Sequence, residues 1–521
     1  MVTAAGSAYT VATQAPAPLP VVVVGAGPTG VTVATLLATY GVPSLVVDRW
    51  PGVYPQPRAV HLDDEVYRIL VRMGVDEAFD AISRPALGLR LVDTDLRVLA
   101  EFDRSGSAPS NGHPRASMFD QPELEALLRR NLDSHPAVTL RGDVEVLDLD
   151  QHPDRVRVHL RDRTTGVEES LEARYVLGCD GANSMVRERI GVEYEDLDFD
   201  QRWLVVDIET RADLQQWEGV HQVCDTRRAA TYMRVGATRY RWEFQLLEDE
   251  CAADFAGIDD LVPLLAPWTG RAVPADLEVV RVGEYTFRAA IAARWRSRRV
   301  FLLGDAAHLT PPFIGQGMGA GMRDAANLAW RLAGVLGGSL PDSVLDGYER
   351  ERRPHARAMI QLARATGIVM TGGGALGDLA RRHVLPRIAT LPVVRAALTD
   401  STTPPLEVRP RTEAVTRADG LVGQLAPSLP VGPGAPRLDV LVGPEWSVVT
   451  RTPLAPTEAE ALAGMGCRPV VVERESGLGR WLEDARAEAV LVRPDRTVHS
   501  SHREPSMITA AAIAALAHGH I

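Results

Sequence analysis

Four consecutive valines, Val21 to Val24, run directly into Gly25-Ala26-Gly27-Pro28-Thr29-Gly30, and no other stretch leaves the chain so few ways to fold. The valine run predicts a short buried strand. Thr29 to Tyr40 predicts a helix closed by Gly41 and Pro43. Leu45-Val46-Val47 predicts a second strand, with Asp48 at its end. A strand, a G-x-G-x-x-G turn, a helix and a strand form the βαβ unit of a dinucleotide site. Gly25 permits the tight turn, Gly27 lets backbone approach a pyrophosphate, and Gly30 lets the helix pack closely. The helix N-terminus offers free amides and a positive dipole end. Asp48 stands where a carboxylate accepts ribose hydroxyl protons. Taken alone, the motif also allows a glycine turn with no ligand.

Composition removes many alternatives. The 521 residues allow about three domains. Fifty-six basic against 68 acidic residues give a net charge of −12, which disfavours nucleic-acid partners. The sequence has no lysine, so all 56 basic residues are arginine. Schiff-base, Walker-type and Ser-Lys chemistry are therefore excluded. The four cysteines, Cys179, Cys224, Cys251 and Cys467, are scattered without a C-x-x-C pair. That argues against a disulfide framework or zinc site and makes a reducing cytoplasm the default expectation; no metal site is expected. No charged side chain occurs between Val2 and Val47. The stretch lacks the basic region of a secretory signal, and its prolines and glycines argue against a membrane span. Residues 1–18 are expected to be flexible.

Further along, Glu65 to Met73 and Gln121 to Leu132 read as helices. Val144 to Leu149, Val156 to Leu160 and Tyr175 to Gly178 read as strands. Trp203 to Ile208 is strand-like. From Arg239 to Leu246, Tyr240, Trp242, Phe244 and Leu246 alternate with Arg239, Arg241, Glu243 and Gln245. Period two means a sheet with one apolar and one polar face, and the lack of intervening helices suggests an antiparallel insert. Helices are expected at Ala320 to Leu336 and Leu345 to Thr366. A Pro-rich stretch from about 399 marks a linker. The tail reads as a small α/β unit, with an element at Leu438 to Val442, strands at Pro469 to Val472 and Ala489 to Val492 and helices at Glu458 to Ala463 and Leu478 to Ala487.

Two more motifs carry chemistry. Gly178-Cys179-Asp180-Gly181-Ala182-Asn183-Ser184 follows a strand and opens a helix; alone, it is equally an Asx turn with a helix cap. Gly304-Asp305-Ala306-Ala307-His308 precedes Pro311-Pro312-Phe313-Ile314-Gly315-Gln316-Gly317-Met318-Gly319. Asp305 at a strand end suits a sugar or ribityl hydroxyl. Gly315, Gly317 and Gly319 let backbone amides approach a ligand before a helix whose N-terminus stabilises negative charge.

Together the three motifs resemble the class A flavoprotein aromatic hydroxylases of the p-hydroxybenzoate hydroxylase type, over about residues 20–400. The likeness is nearest to the 3-(3-hydroxyphenyl)propionate hydroxylase branch. It is carried by Pro57-Arg58-Ala59-Val60, Asp63-Asp64-Glu65, Trp203 to Ile208, Gly321 to Trp330 and Glu351 to Ala356. The tail resembles the thioredoxin-like domain of larger members. Without C-x-x-C it has no expected redox role, and packing or dimer contacts are its expected use.

The resemblance implies an α/β fold: a Rossmann-like FAD-binding domain, an antiparallel-sheet substrate domain and a C-terminal thioredoxin-like α/β domain. The implied division is a discontinuous FAD-binding domain over 19–195 and 281–398, a substrate domain over 196–280 and the tail over 399–521. Gly25, Ala26, Gly27, Pro28, Thr29, Gly30 and Asp48 would hold the ADP half of FAD, with Arg49 beside the adenosine. Arg58 would lie near the flavin, and Gln121 would bind the ribityl region. Asp180 and Gly181 are associated with FAD and NAD(P)H. Gly304 and Asp305 would take the ribityl chain, and Pro312, Gly315, Gln316, Gly317, Met318 and Gly319 the isoalloxazine edge.

The implied reaction is hydroxylation of a small phenolic substrate by O2 and NADPH or NADH, a transient co-substrate, through a flavin C4a-hydroperoxide. A larger polyketide or antibiotic ring is the variant within the class. An NAD-dependent dehydrogenase or a silent flavin binder is the alternative outside it. His61 is the candidate base, with packing or flavin contact as its other reading, and His308 is expected to be structural. Tyr232, Arg234, Arg241 and Pro311 are the candidate substrate contacts. A homodimer is left open.

Overall fold

The computed structural model describes residues 19–56, 58–105, 111–270, 272, 274–372, 403–408 and 420–518. The expected flexible segment 1–18, Pro57 and most of the 399–419 linker lie outside the described residues.

The first sheet has a parallel centre. Leu19–Val24 lies between Ser44–Val47 and Glu168–Gly178, with Val138–Arg141 and Val300–Leu302 continuing it outward. The valine run is a buried central strand, and the helix Pro28–Thr39 returns the chain to Ser44–Val47 as the βαβ pattern requires. The long helix Gly317–Leu336 packs against Pro28–Thr39. Strands Val144–Gln151 and Val156–Asp162 form an antiparallel extension on Glu168–Gly178. A three-stranded sheet, His61–Asp63, Ala116–Phe119 and Ser83–Pro85, lies beside the parallel sheet's core.

The second sheet is the expected antiparallel insert, and it is larger than residues 196–280. Its order is His308–Leu309, Glu278–Ala292, Tyr194–Glu209, Arg239–Gln245, Ala230–Arg234, Val220–Val223, Gly88–Val92 and Val98–Asp103. The last two strands come from the stretch assigned by sequence to the FAD-binding domain, and Val220–Val223 pairs with Gly88–Val92 in parallel. One face packs Leu204, Val206, Tyr240, Trp242 and Phe244 against the helix Ile258–Thr269. The other face turns toward the parallel-sheet unit.

The C-terminal unit has four strands in the order Cys467–Val471, Trp446–Thr450, Ala489–Val492 and Val498–His502. The element at Leu438–Val442 is a short helix. Leu438 and Val442 are fully buried while Val440 is 66% exposed, the i, i+4 burial of a helix turn. Buried charge joins this unit to the rest. Asp439 accepts from Arg68 at 2.7 and 2.8 Å and from Arg496 at 3.0 Å. Glu351 accepts from Arg331 at 2.7 Å and Arg493 at 2.9 Å. The indole of Trp330 donates to Asp495 at 3.2 Å.

Candidate active site

The glycine turn needs its glycines. Gly25 has φ +102°, and a Cβ there would lie 2.4 Å from the Cys179 carbonyl oxygen. A Cβ at Gly30 would lie 1.9 Å from the Gly25 oxygen. Beside Gly27 a Cβ would meet nothing within 4 Å, so that face of the turn is open. Asp48 folds back on the turn, accepting from Ala26 N at 2.6 Å and Trp50 N at 2.8 Å. Arg129 donates to the Ala26 carbonyl at 3.0 Å. Arg49 lies beside Trp50, its guanidinium carbon 5.6 Å from the ring centroid. The N-termini of the helices Pro28–Thr39 and Gly317–Leu336 meet through Thr29, against which both Gly304 and Gly321 pack without room for a Cβ.

Asp305 follows Gly304 on the exposed side of this junction. Its carboxylate accepts no hydrogen bond among the described residues, while its neighbours are firmly held. Asp324, fully buried, accepts from Gly304 N at 3.0 Å, His308 Nε2 at 2.8 Å and Arg352 Nε at 2.9 Å. His308 is thus the structural residue the sequence suggested. An orphan carboxylate on a braced turn, an open glycine turn and two converging helix N-termini fit the ribityl and pyrophosphate parts of FAD.

Asp180 is committed, accepting from Ser184 Oγ at 2.6 Å and Val186 N at 3.0 Å to cap the helix Met185–Arg189. Gly181 has φ +82°, which glycine tolerates best. Arg187 reaches the carbonyl of Ala182 at 3.0 Å and that of Ala306 at 3.4 Å, tying this motif to the Asp305 turn.

After Pro311, Pro312–Ile314 forms a 3-10 turn, and Gly315 adopts φ +66° before the helix opens at Gly317. A Cβ on Gly315 would fall 2.8 Å from His61 Nδ1. Met318 packs on the main core, and Gly319 abuts Val66. The Gln316 side chain donates to Asp63 at 2.8 Å and accepts from Arg323 at 2.9 Å, which fixes the loop before the helix. Gln121 is bonded likewise. Its Oε1 accepts from Arg58 N at 2.8 Å and Ala59 N at 2.6 Å, and its Nε2 donates to Glu125 at 2.6 Å. It holds the Arg58 segment and keeps the second hydrogen of its amide nitrogen for a further acceptor.

Arg58 itself lies over Tyr54, 5.2 Å from the ring centroid. His61 sits with Nδ1 3.3 Å from the Gly315 carbonyl oxygen, and its buried Nε2 has no hydrogen-bond partner among the described residues. Burial and the Arg104 charge lower its pKa to about 4. A neutral imidazole of that basicity is a weak proton acceptor at neutral pH.

The candidate substrate residues divide. Arg241 is on the face toward Arg58: it makes a fully buried pair with Asp207 at 2.7 and 3.0 Å and donates to the Arg58 carbonyl oxygen at 2.7 Å. Tyr232 is on the opposite face, packed against Trp242 and Trp268. Arg234 shares that face, paired with Glu218 at 2.7 Å and lying over Tyr240. The strand register puts Tyr232 opposite Trp242, not Arg241, so Tyr232 and Arg234 lie on the face away from Arg241. The sequence reading missed Asp207, Asp324 and Arg352, the buried charges that position these segments.

The fold and site define a FAD-dependent aromatic hydroxylase. Residues 18–363 match the family model described as FAD binding domain, and the chain belongs to that family. It is 31% identical over 92% of its length, and 93% of the relative's, to the 3-(3-hydroxy-phenyl)propionate/3-hydroxycinnamic acid hydroxylase of Burkholderia cenocepacia (strain HI2424). It is 40% identical over 67% of its length to a probable NADH-specific resorcinol 4-hydroxylase of Rhodococcus jostii (strain RHA1), a match spanning 65% of that protein. Among solved structures, aklavinone-11 hydroxylase with FAD and aklavinone superposes with TM-score 0.79 at 24% identity, covering 96% of this chain and 99% of that one. Among the described residues, no helix is long and apolar enough to cross a membrane.

Proposed function

We propose that this chain hydroxylates a small phenol with NAD(P)H and O2, the ring lying between bound FAD and the inner face of the second sheet. The observation that carries this is how the sheet closes on the FAD-facing segments. Arg241 grips the Arg58 carbonyl at one end, and Trp203 packs on Phe313 at the other, with ring centroids 5.8 Å apart. Leu91, Phe102 and Phe313 add apolar wall. An aromatic ligand in such a slot is shielded from water.

Bound FAD supplies acceptance of electrons from NAD(P)H and the activation of O2. The protein's part is placement. The Gly25–Gly30 turn and Asp48 hold the ADP half beside Arg49. Asp305 takes the ribityl hydroxyls, and the backbone from Pro312 to Gly319 borders the ring. Gln121 and Arg241 fix the Arg58 segment from two sides. Pro311 borders the substrate.

The relatives' names support a phenol of the 3-(3-hydroxyphenyl)propionate or resorcinol type. The C-terminal order β-α-β-α-β-β-α, with its first strand pair parallel, supports a thioredoxin-like reading. Burial pushes the Cys467 thiol up to about 12, which supports packing over redox use. Four free cysteines fit a cytoplasmic location. A homodimer remains part of the reading.

The test is NADH and NADPH oxidation by the purified holoenzyme with and without 3-(3-hydroxyphenyl)propionate or resorcinol, with products weighed by mass spectrometry. Substrate-stimulated oxidation and one added oxygen support the reading. Slow oxidation unaffected by either phenol refutes the small-phenol assignment and favours a bulkier ring.

A further inference from the structure

The inner face of the second sheet carries a polar stripe that the reading above does not use. Strand pairing sets Leu91, Gln222, Thr231, Glu243, Val205 and Gly283 side by side in one row. Paired residues point to the same face, and Glu243 shares the parity of Arg241, so the row looks toward the Arg58 side. The row is bracketed. On one side of it Asp207 and Arg241 reach the Arg58 carbonyl. On the other Trp203 meets Phe313, two residues before Gly315. Glu243 therefore stands midway between the two segments assigned to the flavin's borders.

Its neighbours are spoken for. Thr231 Oγ1 donates to Gln222 Oε1 at 2.9 Å, and Gln222 Nε2 donates to the Ala230 carbonyl at 3.1 Å. Glu243 is different. Its side chain is only 13% exposed, yet among the described residues its carboxylate accepts no hydrogen bond. The nearest cation, Arg241 Nη1, is 4.0 Å away, beyond hydrogen-bond reach, and is already bound to Asp207 and Arg58. A carboxylate held this way costs free energy unless a donor arrives. Burial raises its pKa, and the charges of Arg241 and Arg281 partly offset that. Val205 is paired with it on the next strand, Trp203 lies two residues further along that strand against Phe313, and Leu91 closes the far end of the row, apolar groups suited to an aromatic ring. At the end of the row the Arg281 guanidinium lies over Gly283, where a Cβ would meet its Nε and Nη2 at 3.2 Å.

We infer that Glu243 is the substrate-binding group of this sheet: its carboxylate accepts the hydrogen bond of a phenolic O–H and so fixes which ring edge faces the flavin. This rests on the proposed phenol hydroxylation. The phenolic O–H is the donor the orphan carboxylate lacks, and a charge-assisted bond draws electron density into the ring, which favours attack by an electrophilic oxygen. The same charge repels a ligand carboxylate. An arylpropionate would therefore enter with its phenolic end toward Glu243 and its acid away from it.

The test titrates the FAD holoenzyme and its Glu243→Gln variant with resorcinol and with 1,3-dimethoxybenzene, following the flavin absorbance. The expected result is a Kd for resorcinol raised about 10-fold, the loss of a charge-assisted hydrogen bond, with the dimethoxy compound changed less than about twofold. Equal weakening of both ligands, or of neither, overturns the assignment. Should Glu243→Gln not retain FAD, Glu243→Asp keeps the charge and withdraws it by one methylene. The same selective loss is then expected, and a uniform one again overturns it. Wild-type enzyme that hydroxylates phenols while the variants bind resorcinol normally refutes Glu243 alone. Wild-type enzyme that binds neither resorcinol nor 3-(3-hydroxyphenyl)propionate refutes the proposed function and this inference together.

Discussion

Two aspartates a short distance apart at the Gly304 turn are expected to behave in opposite ways. The Asp305 carboxylate accepts nothing among the described residues, so Asp305→Ala removes a ligand contact and little else, and leaves the backbone bond from Tyr194 in place. One to two charge-assisted hydrogen bonds are lost, about 1.5–3 kcal/mol for the first, or roughly 10- to 150-fold in FAD affinity. The apoprotein should keep its melting temperature. Asp324 satisfies three donors at 2.8 to 3.0 Å, one of them the fully buried Arg352. Asp324→Ala leaves that guanidinium with His355 Nδ1 at 3.0 Å and the Ala320 carbonyl at 3.2 Å, and no counter-charge at Asp324. Breaking such a buried pair costs about 3–5 kcal/mol. The Gly304 turn loses its brace as well, so FAD retention falls together with stability. The assay is paired: thermal unfolding of each apoprotein, and flavin content after dialysis. If Asp305→Ala lowers the apoprotein melting temperature as much as Asp324→Ala does, the division between an orphan ligand group and a structural brace is wrong.

Three further outcomes follow from the geometry. His61 has its pKa lowered from 6.5 to about 4, so the unfolded chain binds the extra proton first, and the stability His61 contributes above pH 6.5 is lost as pH falls toward 4. His61→Gln should flatten that part of the stability curve and leave the pH profile of kcat/KM between 6 and 8 unchanged; a profile that loses a limb would restore His61 as the base. Tyr232→Phe should leave substrate Kd within about twofold, since Tyr232 lies in the core of the far face; a tenfold change in a substrate titration would contradict the register. Asp439→Ala strands Arg68 and Arg496 and should destabilise by about 3–5 kcal/mol, visible as faster hydrogen exchange around Leu438–Val442; unchanged protection there would show that the ion pairs contribute little.

Much of the molecule is legible in the sequence for local reasons. The βαβ unit is written in contiguous residues, as is the alternation from Arg239 to Gln245 that builds a two-faced strand. What was not legible depends on pairing between distant segments. Tyr232 looks like a companion of Arg241 until register sets it against Trp242. Gly88–Val92 joins a sheet whose neighbouring strand starts at Val220, and nothing in its own few residues says so. Leu438–Val442 is too short for its apolar pattern to separate strand from helix turn. Gln121 and Gln316 carry the right chemistry for a flavin contact, and the fold adds protein partners to both amides that no local pattern announces.

The joint at Asp439 bears on how the chain is made. A ribosome delivers Arg68 several hundred residues before the carboxylate that neutralises it, whereas Arg331 finds Glu351 almost at once. The nucleotide-binding part can therefore settle early around its own internal ion pair, but it keeps an unfilled cationic socket until the final stretch of the polypeptide emerges. The last hundred residues act as a late-arriving keystone. A chain cut short before Asp439 would expose that socket, marking an incomplete product for quality control before it could gather flavin.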